Sequence, residues 1–220
     1  EAFMADAVKS TSRRRFVQGC VGLAGSAGVL GLLLASYSKQ SKAPPAWAVR
    51  PPGALPEEDF NAACVRCGLC VRGCPFDILH LAELGENITT GTPYFVARQG
   101  PCEMCEDIPC VAACPTGALT KDLTDIAEAH MGVAVLTGRD TCYAVARETG
   151  CRACYLACPV KDQAITMERR QSNGRGYFEP TVHPSACTGC GKCEHACVTE
   201  EASIKVLPIG LAKHDPAART

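Results

Sequence analysis

Cysteine is the residue type in this chain that could do chemistry, and its spacing repeats. The chain has 220 residues and 17 cysteines, of which sixteen fall into four groups of four. In three of these groups a proline follows the last cysteine, whereas Val198 follows it in the fourth. The groups are Cys64, Cys67, Cys70 and Cys74; Cys102, Cys105, Cys110 and Cys114; Cys142, Cys151, Cys154 and Cys158; and Cys187, Cys190, Cys193 and Cys197.

The first and fourth groups have the spacing C-x2-C-x2-C-x3-C, which is typical of [4Fe–4S] ligation. A cubane presents four irons at the corners of a tetrahedron, and each iron binds one thiolate. Three closely spaced cysteines can wrap one side of the cube, whereas the fourth cysteine of the run ligates a neighbouring cluster. The sixteen cysteines therefore predict four [4Fe–4S] clusters whose ligands are exchanged between paired repeats. The spacing alone leaves open which repeats are paired.

Zinc and disulfides are the alternative uses of so many cysteines. Zinc sites favour separated C-x2-C pairs with long gaps between them, whereas these groups are tight foursomes. Disulfides are common in exported proteins, but loops this short would bridge poorly. His195 lies within the fourth group, but four cysteines already supply a full ligand set, so we do not expect it to be a ligand. An iron–sulfur enzyme would need an open iron or a second cofactor motif, and the sequence shows neither, so no catalytic residue is predicted.

Short apolar runs flank the cysteine groups and predict short strands. The runs before the groups are residues 94–96, 133–136 and 177–178, and those after them are 78–79, 118–119, 164–167 and 204–206. We expect a brief helix in the x3-Cys-Pro stretch of each repeat, and residues 125–130 are the best helix candidate between repeats. The predicted fold class is α+β. It consists of two ferredoxin-like double-cluster modules with short strands, short helices and long loops, and its repeats lie near residues 60–80, 98–120, 138–168 and 183–207.

Two of the repeats carry insertions between their cysteines. Residues 106–109 lengthen a gap in the second repeat, and residues 143–150 lengthen a gap in the third. A ligand set can still form if these insertions loop outward as tolerated surface loops, which is the interpretation we favour. The alternative is that they reshape the surface near a cluster and form a docking face.

Composition and charge restrict the function further. Aromatic residues make up only 5% of the chain, so the hydrophobic core is thin and metal binding should supply much of the folding free energy. From Val49 onward there are 16 Lys and Arg against 21 Asp and Glu, a net charge of −5. A mildly acidic body argues against a nucleic-acid partner.

The N-terminal segment, residues 1–48, is interpreted as an export signal and linker that precedes a four-cluster ferredoxin domain, residues 49–220. Residues 12–17 read Ser-Arg-Arg-Arg-Phe-Val and lead into an uncharged stretch that ends at Ser38. This arrangement resembles the signal read by the twin-arginine translocase and implies a periplasmic protein. Residues 46–48 form an A-x-A cleavage motif, but the uncharged stretch is also long enough to span a bilayer. Cleaved and anchored forms both fit the sequence. Cys20 stands outside the four groups.

Several stretches resemble the MauM/NapG family of ferredoxin-type proteins, and within it most closely the NapG branch. The matching residues are 50–54, 91–98, 101–110, 180–183 and 187–193. The stretch Pro-Cys-Glu-Met-Cys-Glu-Asp-Ile-Pro is the most specific of them, because the cysteine pattern itself is shared with many four-cluster subunits. The resemblance extends from the arginine motif to about residue 213.

The resemblance implies a function, partners and ligand sets. The expected function is electron transfer from membrane quinol, with a membrane-bound ferredoxin-type quinol dehydrogenase subunit, towards periplasmic cytochromes and nitrate reductase. The alternative is electron transfer in methylamine utilisation. By the same resemblance, the first repeat pairs with the fourth and the second with the third. The implied ligand sets are Cys64, Cys67, Cys70 and Cys197; Cys187, Cys190, Cys193 and Cys74; Cys102, Cys105, Cys110 and Cys158; and Cys142, Cys151, Cys154 and Cys114.

Overall fold

The chain divides into two compact units, Glu1–Ser41 and Lys42–Thr220. The computed structural model describes residues 28–32, which are helical, and residues 44–172 and 174–212. The arginine motif at residues 12–17 and Cys20 lie outside the described residues. Among the residues that are described, no helix is long and apolar enough to cross a membrane.

The second unit is built from short helices and short strands joined by loops. The helices are α1 (Glu57–Ala63), α2 (Leu69–Gly73), α3 (Pro109–Ala112), α4 (Tyr143–Ala146), α5 (Ala153–Ala157), α6 (Lys192–His195) and α7 (Ile209–Ala212). The strands are β1 (His80–Leu81), β2 (Pro93–Tyr94), β3 (Val133–Leu136), β4 (Ile165–Ser172), β5 (Arg175–Val182) and β6 (Ile204–Leu207).

The strands pair into three small antiparallel sheets, β1 with β2, β3 with β6, and β4 with β5. The strands predicted at residues 133–136 and 204–206 are confirmed, and they pair with each other from Val133↔Leu207 to Leu136↔Ile204. The strand predicted at residues 118–119 is wrong, because Leu119 forms only a single bridge with Ala54. The helix predicted at residues 125–130 is a 3₁₀ turn at Ile126–Glu128.

The hairpin of β4 and β5 is longer than its apolar runs predicted. Each strand has eight residues, and the pairing continues outward to Ser172↔Arg175. The outer half carries Arg169, Arg170 and Arg175, which are exposed. A polar strand end that packs against little has no apolar alternation, so sequence periodicity underestimates its length.

Four one-turn helices lie where each repeat approaches its last cysteine, as predicted. α2 and α5 end one residue before Cys74 and Cys158, and these two cysteines are the helix C-caps. Left-handed backbone precedes three of the four helices, at Gly68, Ile108 and Gly191. This conformation turns the chain sharply between the second and third cysteines, so that successive thiols can point towards one centre.

Cysteines make up much of the interior of the second unit. Its largest fully buried side chains include Phe60, Phe95, Leu119 and Ile204. Seven cysteines are buried among them, namely Cys102, Cys110, Cys114, Cys142, Cys187, Cys190 and Cys193. Because few large apolar side chains fill this interior, the groups that bind the cysteines must contribute to its stability.

The cysteine loop of the fourth repeat packs closely against the chain before β3. A Cβ added to Gly189 would lie 2.2 Å from the backbone nitrogen of Gly132. Gly189 also has φ +73°, a conformation that other residues rarely adopt. Glycine is therefore required here both for the backbone conformation and for the close approach of the two loops.

We predict that Gly189→Ala strongly destabilises the protein. The matched control is Gly117→Ala, because Gly117 has φ +75° but would place its Cβ in open space. The control should cost roughly 1–2 kcal/mol for the left-handed backbone. Gly189→Ala should cost about 1–3 kcal/mol more, because a backbone must move. Urea unfolding of the two cluster-loaded variants measures the difference. Equal free energies of unfolding would contradict the close contact.

Candidate metal centres

The sixteen cysteines gather into four quartets, and each quartet lines its own pocket. The pockets are similar in size, each with about 340 to 400 Å³ of empty space that is partly open to solvent. We name each site after the repeat that contributes three of its cysteines. Site 1 is Cys64, Cys67, Cys70 and Cys114; site 2 is Cys102, Cys105, Cys110 and Cys74; site 3 is Cys142, Cys151, Cys154 and Cys197; and site 4 is Cys187, Cys190, Cys193 and Cys158.

Each site takes its fourth cysteine from the neighbouring repeat, so the first repeat pairs with the second and the third with the fourth. The sets implied by the resemblance, with first paired to fourth and second to third, are not brought together. Cys197 joins Cys142, Cys151 and Cys154 instead of Cys64, Cys67 and Cys70. Cys74, Cys114 and Cys158 differ from the implied sets in the same way. The adjacent pairing, which the spacing left open, is the one that the structure has.

The packing of the one-turn helices explains this exchange. α2 packs against α3, and α5 packs against α6. α2 contains Cys70 of site 1 and has Cys74 of site 2 as its C-cap, so the two cysteines are separated by about 6 Å along the helix axis. α3 connects the same two sites in the opposite direction, because it contains Cys110 of site 2 and is followed by Cys114 of site 1. Each helix pair therefore ties two sites together.

Sites 2 and 4 meet where the two pairs of repeats touch. The backbone N–H of Cys102 donates to the carbonyl oxygen of Cys190 over 2.8 Å. Glu103, the next residue, forms an ion pair with Lys192. Since sites 1 and 2 share one helix pair and sites 3 and 4 share the other, the four sites follow one another in the order 1–2–4–3.

The contact between the two pairs of repeats is reinforced by Arg98. Its guanidinium donates to the carbonyl oxygens of Glu194, Cys197 and Thr199 over 2.7, 2.8 and 2.8 Å. A planar group with five donors can satisfy several carbonyls at once, which an ammonium group could not do in the same geometry. Arg98 thus holds the loop that delivers Cys197 to site 3.

The sites differ in their depth. Three cysteines of site 4 are buried, with exposed fractions of 7–9%. Cys67 of site 1 is exposed. Site 4 is therefore the most enclosed of the four, and site 1 lies close to the surface.

Burial keeps many of the thiols protonated when they are not bound. It raises the pKa of Cys70 to about 11 and that of Cys110 and Cys154 to about 12. It also raises the pKa of Cys193 well above its ordinary value. A thiolate in such surroundings needs a cation as a partner, and binding a metal centre there would release the protons.

Two of the exchanged cysteines are surrounded by hydrogen-bond donors. Burial alone would raise the pKa of Cys197, but the Thr199 hydroxyl and nearby backbone N–H groups outweigh it and lower that pKa. The Cys197 sulfur and the Thr199 hydroxyl are 3.1 Å apart. The pKa of Cys114 is lowered in the same manner, by backbone N–H groups and the Thr116 hydroxyl against the opposing effect of burial. Such donors stabilise a sulfur that carries negative charge.

The donor set and its spacing fit an iron–sulfur cluster. All sixteen cysteines are free thiols. Four thiols line each of the four pockets, which is the ligand number that a [4Fe–4S] centre requires. His195 lines none of these four pockets, and its Nδ1 lies 2.8 Å from the carbonyl oxygen of Arg98.

The insertions loop outward only in part: Glu106, Asp107 and Arg147 are exposed, whereas other inserted residues turn towards the sites. In the second repeat, Ile108 is buried and lines site 2, and Pro109 begins α3. In the third repeat, the insertion forms α4, and Tyr143 and Ala144 line site 3. Sequence reasoning missed these lining residues. The signal that could have found them is their position between two cysteines of one site, which forces the inserted chain to border the pocket.

Quartets of thiols exchanged between paired cysteine repeats define a 4Fe–4S protein of the dicluster ferredoxin type. The 4Fe–4S dicluster domain family matches residues 63–118 and again residues 149–200. The first match contains both repeats of one pair, and the second lies within the other pair. The chain belongs to the MauM/NapG family of ferredoxin-type proteins, because relatives named MauM and NapG are about half identical to it over most of its length.

Membership in this family rests on relatives that match most of the chain. A methylamine utilization ferredoxin-type protein MauM from Methylorubrum extorquens is 51% identical over 215 residues, which are 96% of this chain and 97% of the relative. The ferredoxin-type protein NapG from Haemophilus influenzae is 51% identical over 91% of this chain and 73% of its own. NapG from Escherichia coli is 48% identical over 91% and 87%, respectively. No solved structure matches the chain significantly.

We predict that pairs of cysteine substitutions report the grouping through iron content. Cys67→Ala with Cys114→Ala removes two ligands of one site and should cost about four irons per chain. Cys67→Ala with Cys197→Ala removes one ligand from each of two sites and should cost about eight irons. Both variants carry two substitutions and differ only in the second position. The reverse result would favour pairing of the first repeat with the fourth.

Proposed function

We propose that the chain binds four [4Fe–4S] clusters, one at each site, and relays electrons between two redox partners. The observation that carries the proposal is the continuous order of the sites, 1–2–4–3, in which every cysteine of the four repeats is used. A cluster with four thiolate ligands has no iron left for a substrate. The arrangement suits a conductor of electrons rather than a catalyst, so the chain acts as a component of an oxidoreductase system.

The residues of the chain would hold and tune the clusters. A [4Fe–4S] cluster supplies reversible one-electron transfer. The thiolates fix its position, and the buried surroundings of site 4 exclude water from it. The hydroxyl of Thr199 and the backbone N–H groups near Cys197 favour negative charge at site 3, which would raise the potential of a cluster there.

We place this relay between membrane quinol and periplasmic nitrate reductase. The donor is a membrane-bound ferredoxin-type quinol dehydrogenase subunit, and the acceptor is a periplasmic cytochrome or nitrate reductase itself. The resemblance of the stretch at residues 101–110 and the similarity to NapG proteins support this assignment. The similarity to MauM over 97% of that relative supports methylamine utilisation as the second candidate. Growth of a deletion strain on methylamine, or with nitrate as electron acceptor, separates the two.

The number of clusters is the first prediction of this proposal. Protein purified without oxygen should contain about sixteen iron and sixteen acid-labile sulfide atoms per chain. After reduction, its EPR spectrum should show magnetically interacting [4Fe–4S] signals, because sites 1 and 2 share one helix pair and sites 3 and 4 share the other. A colourless protein with little iron, isolated intact and folded, would instead indicate a disulfide or zinc scaffold.

We also propose that the twin-arginine translocase exports the chain to the periplasm and that its N-terminal segment is not cleaved off afterwards. The bond after the A-x-A motif joins Ala48 and Val49, and both residues have an exposed fraction of 0%. Val49 exchanges two backbone hydrogen bonds with Phe95, of 3.0 and 2.8 Å. The Trp47 ring packs edge-on against Tyr94 at 5.5 Å. A protease needs an accessible, extended segment, and a chain that folds before export no longer offers one here.

Intact mass spectrometry of the exported protein tests this proposal. We predict that the chain isolated from membranes and periplasm retains the residues before Val49. A variant with Trp47→Ala and Tyr94→Ala loosens the packing of the motif and should show more cleavage after Ala48. A wild-type chain that begins at Val49 would show that processing occurs before this segment docks.

A further inference from the structure

Site 3 lies at one end of the order 1–2–4–3, and an arginine-rich surface borders it. α4, formed by the insertion of the third repeat, places Tyr143 against the site. The guanidinium of Arg147 lies over the Tyr143 ring, 4.1 Å from its centre. Arg152 is exposed and lies between Cys151 and Ala153, which both line site 3. We call Tyr143, Arg147, Arg152 and Val198 the arginine face.

Val198 supplies the apolar part of this face. It lines site 3 and is 56% exposed. Proline follows the last cysteine in the other three repeats, so this position is where the fourth repeat departs from the pattern. A partner docked at site 3 would therefore cover Val198.

The charges of the arginine face are available to a partner. Arg147 and Arg152 are exposed, and neither forms an ion pair within the part of the chain that the structure describes. The carboxylate of the insertion belongs to Glu148, which is half-buried. α4 also packs against β5, and the hairpin of that strand adds exposed Arg169 and Arg175.

The two ends of the relay differ in charge. Residues 49–131, which hold sites 1 and 2, contain 5 Lys and Arg against 12 Asp and Glu. Residues 132–212 contain 9 against 8. An acidic partner would be repelled by the first half and attracted to the arginine face, so the asymmetry would orient it at site 3.

We propose that the arginine face is the docking surface for a redox protein whose contact surface is acidic, and that site 3 exchanges electrons with it. The proposal rests on the relay function proposed above. A protein partner is favoured over an anionic membrane surface, because a terminal cluster can pass electrons only to another redox group. The insertion of the third repeat then serves partner recognition, since it supplies both Tyr143 and Arg147.

Stopped-flow oxidation of the reduced, cluster-loaded protein by an acidic c-type cytochrome tests this proposal. The rate should fall as salt is added, because attraction between exposed charges is screened. Arg147→Glu with Arg152→Glu should lower the low-salt rate roughly 10-fold or more. The same variant should leave oxidation by a small uncharged oxidant unchanged.

The matched control reverses two arginines at the other end of the relay. Arg66 and Arg72 are exposed and lie among the cysteines of the first repeat, so Arg66→Glu with Arg72→Glu makes the same change in charge beside site 1. This control should alter the rate with the acidic cytochrome less than threefold. An equal or larger loss in the control, or no loss in the site 3 variant, would overturn the proposal.

Two further measurements, of iron content and of vesicle binding, distinguish this proposal from its alternatives. Both variants should keep the iron content of the wild type, and a low iron content in the wild type would refute the relay rather than the docking surface. Flotation with phosphatidylglycerol vesicles tests the alternative that the arginine face binds an anionic membrane surface. Binding to these vesicles that is lost only in the site 3 variant, without a change in the cytochrome rate, would overturn the proposal in favour of a lipid surface.

Discussion

One helical turn between the third and fourth cysteines of each repeat is the constraint on which the rest of this structure depends. The turn spaces the two cysteines by about 6 Å along the helix axis and places the last one in the neighbouring quartet, which it completes. Each repeat therefore contributes its last cysteine to the site of the repeat with which it is paired. Because two such helices pack against each other, the two repeats exchange their last cysteines, and their two sites form one structural unit.

The same constraint governs stability. Large apolar side chains are few, and the cysteines occupy places in the interior that such side chains would fill in another protein. Burial raises the pKa of thiols such as Cys110 and Cys193, so their charged forms are unfavourable without a metal partner. Binding of the clusters and folding of the second unit are thus coupled. Arg98 and the hydrogen bond from Cys102 to Cys190 then join the two pairs of repeats, and this contact makes the order of the sites continuous.

The sequence allowed the family, the strands at residues 133–136 and 204–206 and the one-turn helices to be predicted, because spacing and period are local signals. The pairing of the repeats could not be predicted in this way. It depends on which one-turn helices pack together, and the analogy with other four-cluster subunits suggested a different pairing from the one observed. The insertions were predicted only in part, because the length of a gap does not show which of the added residues face the solvent and which face the site. Tyr143 and Ile108 show that both insertions border a pocket.

The spatial order of the sites carries the functional account, since a relay requires each cluster to lie next to the following one. Anomalous diffraction at the iron edge, from anaerobic crystals of the cluster-loaded protein, measures this order directly. The account predicts four iron–sulfur peaks in the order 1–2–4–3, with Cys114 bound at site 1 and Cys197 bound at site 3. A cluster held jointly by Cys64 and Cys197, or a break in the sequence of peaks between sites 2 and 4, would contradict it.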